Sequence, residues 1–319
     1  MIKNKFMRLI AACCFLVVPS FFSGVLSDFP LNSSLCALYS QEYGLVLSGG
    51  GGKGAYEIGV WKALVEYGIS QKITVISGTS VGGLNAALLS VLKPEEAEKI
   101  WLEEVPLKLK KADQELSISQ DGLQQIINTI PLKMLQKNLP EVYVTAVRDK
   151  FTLSKLFIKP KVGDGAYRFK LNDRRVDEMR KYLLATSAFP VLCSPVWIDD
   201  EDGGHNYSDG GNELVGGDNI PIDPIVANYP QIKKIIVVYL ADKEHAKRRI
   251  NVKNYDSVEI IELYPSINIA GDGFWEGLID GTANFSVERI SLLIKTGYDD
   301  TVELLRRKGF YPVSSYWFE

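Results

Sequence analysis

Apolar and polar positions along this 319-residue chain alternate between two kinds of run. Short, nearly continuous apolar stretches predict buried strands at Tyr43–Ser48, Ile73–Ser77, Ile235–Leu240 and Val258–Leu263. Between them, apolar residues return at helical spacing. Ile58, Trp61, Leu64 and Val65 share one side of a helix opening at Ala55, and a small-residue helix is expected from about Val81. Pro94–Trp101 predicts a proline-started helix with acidic residues in its first turn. Residues 105–140 are amphipathic but broken by Pro106, Pro131 and Pro140, which predicts short helices forming a cap.

Further on, Val142–Ala146 and Phe151–Ile158 have the character of strands, separated by Arg148-Asp149-Lys150. Arg174–Thr186 is expected to be helical, ending at Ser187-Ala188-Phe189-Pro190. Val191–Ile198 and Asn206–Ser208 predict a hairpin around the polar loop Asp199–Gly204. One long amphipathic helix is expected over Asn284–Lys308, with Val287, Ile290, Leu293, Ile294, Leu304 and Leu305 on its apolar side.

The first thirty residues break this rhythm. Lys3, Lys5 and Arg8 precede an apolar run from Leu9 to Phe22, interrupted by Pro19, and small residues lead to a cleavage point near Ser27. That layout predicts a secretory leader over residues 1–27, and hence export to the periplasm or beyond; an uncleaved membrane anchor is the alternative. Ile10-Ala11-Ala12-Cys13 faintly resembles a lipoprotein cleavage box, but too little apolar sequence precedes it. The expected organisation is a leader over 1–27, a linker over 28–42, one folded domain over 43–308 and a tail over 309–319.

Composition changes this picture little. With 46% apolar, 24% charged and 10% aromatic residues, the chain can bury a large core. A net charge of −3 points to no nucleic-acid partner, and removing the leader takes away three positive charges and no negative one, giving −6. Of the four cysteines, Cys13 and Cys14 lie in the leader, leaving Cys36 and Cys193. Those two allow one bridge at most, exclude a disulfide framework and have no metal-ligand spacing.

The candidate chemistry sits at two glycine-rich turns. Gly78-Thr79-Ser80-Val81-Gly82 follows a predicted strand and opens a helix, which is the context of a nucleophile elbow. The glycines permit a cramped turn that pushes the serine hydroxyl over the sheet edge, and the helix N-terminus favours negative charge there. Gly49-Gly50-Gly51-Gly52-Lys53-Gly54 likewise joins a strand to a helix. As a phosphate-binding P-loop it fails, because Gly54 replaces the metal-binding Ser or Thr and Leu47 replaces the first glycine. As a dinucleotide fingerprint, Gly49-x-Gly51-x-x-Gly54 fits, but the next strand ends without the acid that binds ribose. As an oxyanion hole, it offers adjacent N–H groups unobstructed by side chains.

Downstream stand Asp209-Gly210-Gly211 and Asn219-Ile220-Pro221. An isolated Asp-Gly is an ordinary turn. Taken in order, however, the glycine loop, the elbow and Asp209-Gly210-Gly211 closely resemble the patatin-like phospholipase family, as do Ser187-Ala188-Phe189-Pro190 and Asn219-Ile220-Pro221. The likeness runs over about residues 43–308, with Lys53 in place of the family's commoner arginine. The resemblance implies a three-layer α/β/α domain with a mostly parallel sheet, hydrolysing lipid acyl esters without metal or cofactor. It implies Ser80 as nucleophile, Asp209 as general base and the N–H groups of Gly50, Gly51 and Gly52 as oxyanion donors. Gly49, Lys53, Gly54, Gly78, Gly82, Gly210 and Gly211 would support them, and the partner would be a lipid at a membrane surface.

Two alternatives stay open on the residues alone. A Ser–Asp–His triad has the chain order Ser80, Asp209, His245, although His245 and His205 both lie in polar surroundings. A dinucleotide-binding protein would use Gly49–Gly54 instead. A binding protein on a decayed hydrolase fold is a further class, but each serine, aspartate and glycine of the motifs is in place.

Overall fold

Strand β1 (Tyr43–Leu47) is buried along its whole length and lies at the centre of an eight-stranded sheet. The computed structural model describes residues 43–109, 118–137, 140–148, 161–190, 193–200, 203–246, 255–271 and 281–313. The expected leader and linker, Cys36 and the strand expected at 151–158 lie outside these residues.

In chain order, a 3₁₀ turn (Gly51–Gly54) leads into α1 (Ala55–Glu66), then β2 (Ile73–Thr79) and α2 (Val81–Val91). Helix α3 (Pro94–Lys99) continues through a π-helical turn (Ile100–Glu104) into α4 (Val105–Leu109). After α5 (Gln120–Thr129) come β3 (Glu141–Arg148), β4 (Ala166–Lys170), α6 (Val176–Thr186), β5 (Val196–Asp200) and β6 (Gly203–Asp209). The described chain closes with α7 (Asp223–Asn228), β7 (Lys234–Val238), β8 (Glu259–Leu263) and α8 (Val287–Arg307).

The strands run in the order β5-β6-β3-β2-β1-β7-β8, with β4 added to β3. Pairings among β3, β2, β1, β7 and β8 are parallel, while β4, β5 and β6 form an antiparallel margin. This is the expected α/β sandwich, and period-two alternation explains its layers. Leu45, Leu47, Ile76, Ile236 and Val238 enter the larger core with α1, α2 and α8. Val46, Val75, Ile235 and Val237 enter the opposite, smaller core with Ile225 of α7. Strands buried on both faces have no polar alternation to show, which is why they read as apolar runs.

Helices α1 and α8 touch backbone to backbone. A Cβ on Gly59 would sit 1.9 Å from Ile294 O, and one on Gly297 would sit 2.0 Å from Tyr56 O. Beyond α8, Phe310 packs on the core and the Val313 N–H donates to Glu66 O at 3.0 Å, so described residues past 308 still belong to the packed body. Among the described residues, no helix is long and apolar enough to cross a membrane.

Candidate active site

The elbow forms where β2 gives way to α2. Ser80 has φ 55° and ψ −126°, and it is the one non-glycine with positive φ among the described residues. Such a conformation costs on the order of 1–3 kcal/mol and persists only where its surroundings over-determine it. Those surroundings are visible: a Cβ on Gly78 would lie 2.3 Å from Gly82 O, and one on Gly82 would lie 2.3 Å from Leu47 O. The Ser80 carbonyl accepts the N–H groups of Gly83 (2.9 Å) and Leu84 (3.2 Å), stitching the turn into α2. Its own N–H donates to Thr186 Oγ1 at 2.9 Å, and the Thr186 hydroxyl donates in turn to Thr145 O.

Asp209 reaches the same place from the opposite direction. On β3, Tyr143, Val144 and Thr145 pair with both β2 and β4, so those two strands occupy opposite edges. Ala146 and Val147 pair with both β4 and β6, which puts β6 on the edge of β3 that β2 uses. Strand β2 ends at Thr79, opposite Thr145, and β6 ends at Asp209, opposite Ala146. The two strands therefore meet head-on along β3, and the residue after one faces the last residue of the other. The Ser80 side chain hydrogen-bonds the Asp209 carboxylate, which also accepts the Gly211 N–H at 2.8 Å. Asp209 is 4% exposed. Burial pushes its carboxyl up from 3.8 to about 6, against the opposing pull of its bonds from Ser80 and Gly211.

The glycine loop lies against both. A Cβ on Gly49 would come within 3.0 Å of Ser80 Cβ, and one on Gly54 within 2.3 Å of a Val81 methyl. Gly51 has φ 58°, a left-handed conformation natural to glycine, and a Cβ there would strike Thr282 O at 2.4 Å. The N–H groups of Gly50, Gly51 and Gly52 have no acceptor among the described residues. The Lys53 side chain folds back over Gly50, its Cε 2.9 Å from where a Cβ on that glycine would stand.

Several residues that hold this arrangement carry no sequence signal of their own. Asn219 Oδ1 accepts the Gly49 N–H at 3.1 Å and its Nδ2 donates to Gly49 O at 3.3 Å, clamping the glycine loop to the segment after Asp209. The Thr79 hydroxyl donates to Asp218 O at 2.7 Å, and the buried Asp218 carboxylate takes the Arg168 guanidinium at 2.9 Å. Asn219 was legible only as part of a motif. Thr186, Asp218 and Arg168 act across such long sequence separations that no local pattern marks them.

Ser80, Asp209 and Gly49, Gly50, Gly51 and Lys53 of the glycine loop border one cavity of about 610 Å³, whereas the expected donor Gly52 is buried outside its lining, against Asn284 O. Leu84 and Leu88 of α2, Trp101, Val105 of α4 and Leu123 and Ile126 of α5 make much of the rest of its wall apolar, so the segment expected to be a cap does cover this space. His245 also lines the cavity, with its Nδ1 2.8 Å from an Asp242 carboxylate oxygen. The partner of the Ser80 hydroxyl is Asp209. His205 lies on β6 opposite Ile198. The position where a dinucleotide fold carries its ribose-binding acid is the end of β2, here Thr79, and its hydroxyl is already engaged.

The strand–turn–helix that raises Ser80 at the edge of an open α/β sheet has the geometry of a nucleophile elbow. The chain belongs to the patatin-like phospholipase family, whose model matches residues 45–226. It is 51% identical over 51 residues to Lysophospholipase nte1 from Aspergillus terreus, a match spanning 16% of this chain and 3% of the fungal protein. Among solved structures it is similar to VipD from Legionella pneumophila, at TM-score 0.46 and 15% identity, over 84% of this chain and 67% of that one. Human GIVD cytosolic phospholipase A2 aligns at TM-score 0.45 and 11% identity, over 85% of this chain and 60% of the human one.

Proposed function

We propose that the chain is a serine-dependent lipid acyl hydrolase working through Ser80 and Asp209. The observation that carries this reading is a serine on a strained turn, hydrogen-bonded to a buried carboxylate and beside glycine N–H groups that have no acceptor among the described residues. Ser80 Oγ attacks the ester carbonyl while Asp209 accepts its proton. The oxyanion forms against the N–H groups of Gly50 and Gly51. Collapse expels the alcohol, which takes the proton from Asp209, and leaves an acyl-serine. Water, losing a proton to Asp209, then releases the fatty acid and restores the serine.

An ordinary carboxylate is a poor base for this task, since catalysis favours a pKa near the working pH. Burial narrows that mismatch by raising Asp209 to about 6. Much of the remaining acceleration falls to the oxyanion donors, where one donor is commonly worth about 10²–10³ in rate. The family and the apolar cavity support a lipid substrate. An exported protein meeting lipid at a membrane surface fits the leader expected over residues 1–27.

Hydrolysis of p-nitrophenyl butyrate and of phosphatidylcholine vesicles tests the reading. Wild type is expected to cleave both and Ser80→Ala neither, with unchanged folding by circular dichroism. His245→Ala is expected to hold kcat within an order of magnitude of wild type. A collapse of kcat in that variant with the fold intact would move the mechanism to a triad. NAD binding without ester hydrolysis would support the dinucleotide alternative.

A further inference from the structure

Ser80 is the residue from which α2 springs, and the cavity follows that helix. Side chains four residues apart stack on one helical face, so Leu84 and Leu88 form a row that begins one turn beyond Ser80, and both leucines line the cavity with Ser80. At about 1.5 Å per residue, Leu84 lies roughly 6 Å and Leu88 roughly 12 Å beyond Ser80 along the axis.

The row leads from an open end to a closed one. Phe189 at the rim is 39% exposed, whereas Leu88 is 4% and Ile127 1% exposed. Among the described lining residues, Leu88, Val105, Leu123 and Ile126 present no polar side-chain atom. Asn85, which also lines the cavity, is already engaged: it gives Nδ2 to Gly54 O (2.9 Å) and to Glu57 Oε2 (2.7 Å), and its Oδ1 takes the Trp101 indole N–H (3.0 Å). A lipid headgroup placed there would lose its hydrogen bonds to water, while an acyl chain would lose none.

We propose that α2 is an acyl-chain ruler: the substrate's acyl chain threads from Ser80 along the row, passing Leu84 and then Leu88, and these two residues set chain-length preference. This rests on the acyl-hydrolase reading and narrows its substrate to esters of long, straight acyl chains. With C–C bonds near 1.5 Å at tetrahedral angles, an extended chain advances about 1.25 Å per carbon, so Leu84 meets roughly the fifth carbon and Leu88 roughly the ninth or tenth. At about 30 Å³ per water-sized group, the 610 Å³ cavity holds roughly twenty such groups, enough for that chain and the ester beside it.

The test compares Leu84→Phe and Leu88→Phe with wild type on p-nitrophenyl esters of four, eight, twelve and sixteen carbons. Leu88→Phe should lower the ratio of kcat/KM for twelve carbons over four by about 10- to 100-fold. Leu84→Phe should impose its loss already at eight carbons. Leu88→Ala, which opens the row instead of blocking it, should move preference toward sixteen carbons and covers the case in which a phenylalanine variant misfolds. Equal losses at all lengths, or cut-offs in the reverse order, would overturn the ruler.

Titration of Ser80→Ala protein with octanoate, dodecanoate and hexadecanoate, with and without Leu88→Phe, reads the same row without chemistry. If wild type hydrolyses no ester, the acyl-hydrolase reading fails, and this binding series decides the ruler separately. Affinity rising with length and cut by Leu88→Phe supports it, and length-independent binding overturns it.

Discussion

Replacing Asp209 by asparagine is expected to abolish turnover and, near neutral pH, to stabilise the fold. The carboxyl is buried, and that burial lifts it from 3.8 to about 6. Between those values the native protein keeps a proton that the unfolded chain has released, so stability falls as pH rises through the window. At about 1.4 kcal/mol per pH unit, the full loss is about 3 kcal/mol, complete once Asp209 is ionised above pH 6. About 2 kcal/mol of it falls between pH 4 and pH 8, because the unfolded carboxyl is itself partly ionised at the lower end. The amide of Asp209→Asn does not titrate. Its oxygen can still accept the Gly211 N–H at 2.8 Å and the Ser80 hydroxyl.

The new amide hydrogens need acceptors, which takes back about 1 kcal/mol or more of the absolute gain but leaves its pH dependence alone. Urea denaturation of both proteins from pH 4 to pH 8 isolates the effect, since every other group cancels in the difference. The stability difference should move toward the variant by about 2 kcal/mol over that range. Wild-type kcat/KM should fall about tenfold per pH unit below pH 6, as the base fills with its proton. A stability difference that stays flat with pH, or that moves toward wild type as pH rises, would refute the reasoning.

Gly51→Ala places a methyl 2.4 Å from Thr282 O at a residue with φ 58°. It should cost about 1–2 kcal/mol of stability in strain and about 10²–10³ in kcat, with a much smaller change in KM, because the oxyanion exists only near the transition state. Steady-state kinetics beside a denaturation curve separates the two effects; a stability loss with unchanged kcat would remove Gly51 from the hole. Asn219→Ala deletes both bonds to Gly49 and should lower kcat by up to about 10²-fold through misplacement of the loop. A variant with wild-type kcat would mean that the clamp does not position the donors.

Much of the fold was legible because its central strands are buried on both faces and carry no polar alternation. Val46, Ile76 and Val237 belong to runs that cannot be mistaken for surface. Strand β4 has no such signature, for the opposite reason. Ala166–Lys170 is half-buried throughout and mixes aromatic with charged residues, so only its pairing with β3 makes it a strand. The π-helical turn at Ile100–Glu104 carries no sequence signal of its own, whereas α4 is one of the short helices expected over 105–140.

The sequence by itself determined the parts whose requirements are local. Gly78 and Gly82 flank a turn too tight for side chains, and the run Gly49–Gly52 keeps side chains away from the backbone there, so spacing alone marks both stretches. Tertiary structure alone decided what those parts face. Ser80 and Asp209 are neighbours because β2 and β6 abut on one edge of β3. The glycine loop meets the segment after Asp209 because one amide, Asn219, bridges 170 residues of chain. The cavity beside Ser80 exists because the helices that follow α2, through α5, pack over it. Turn chemistry is written in adjacent residues, whereas strand register and the closing of a cavity are settled by which distant surfaces bury each other best.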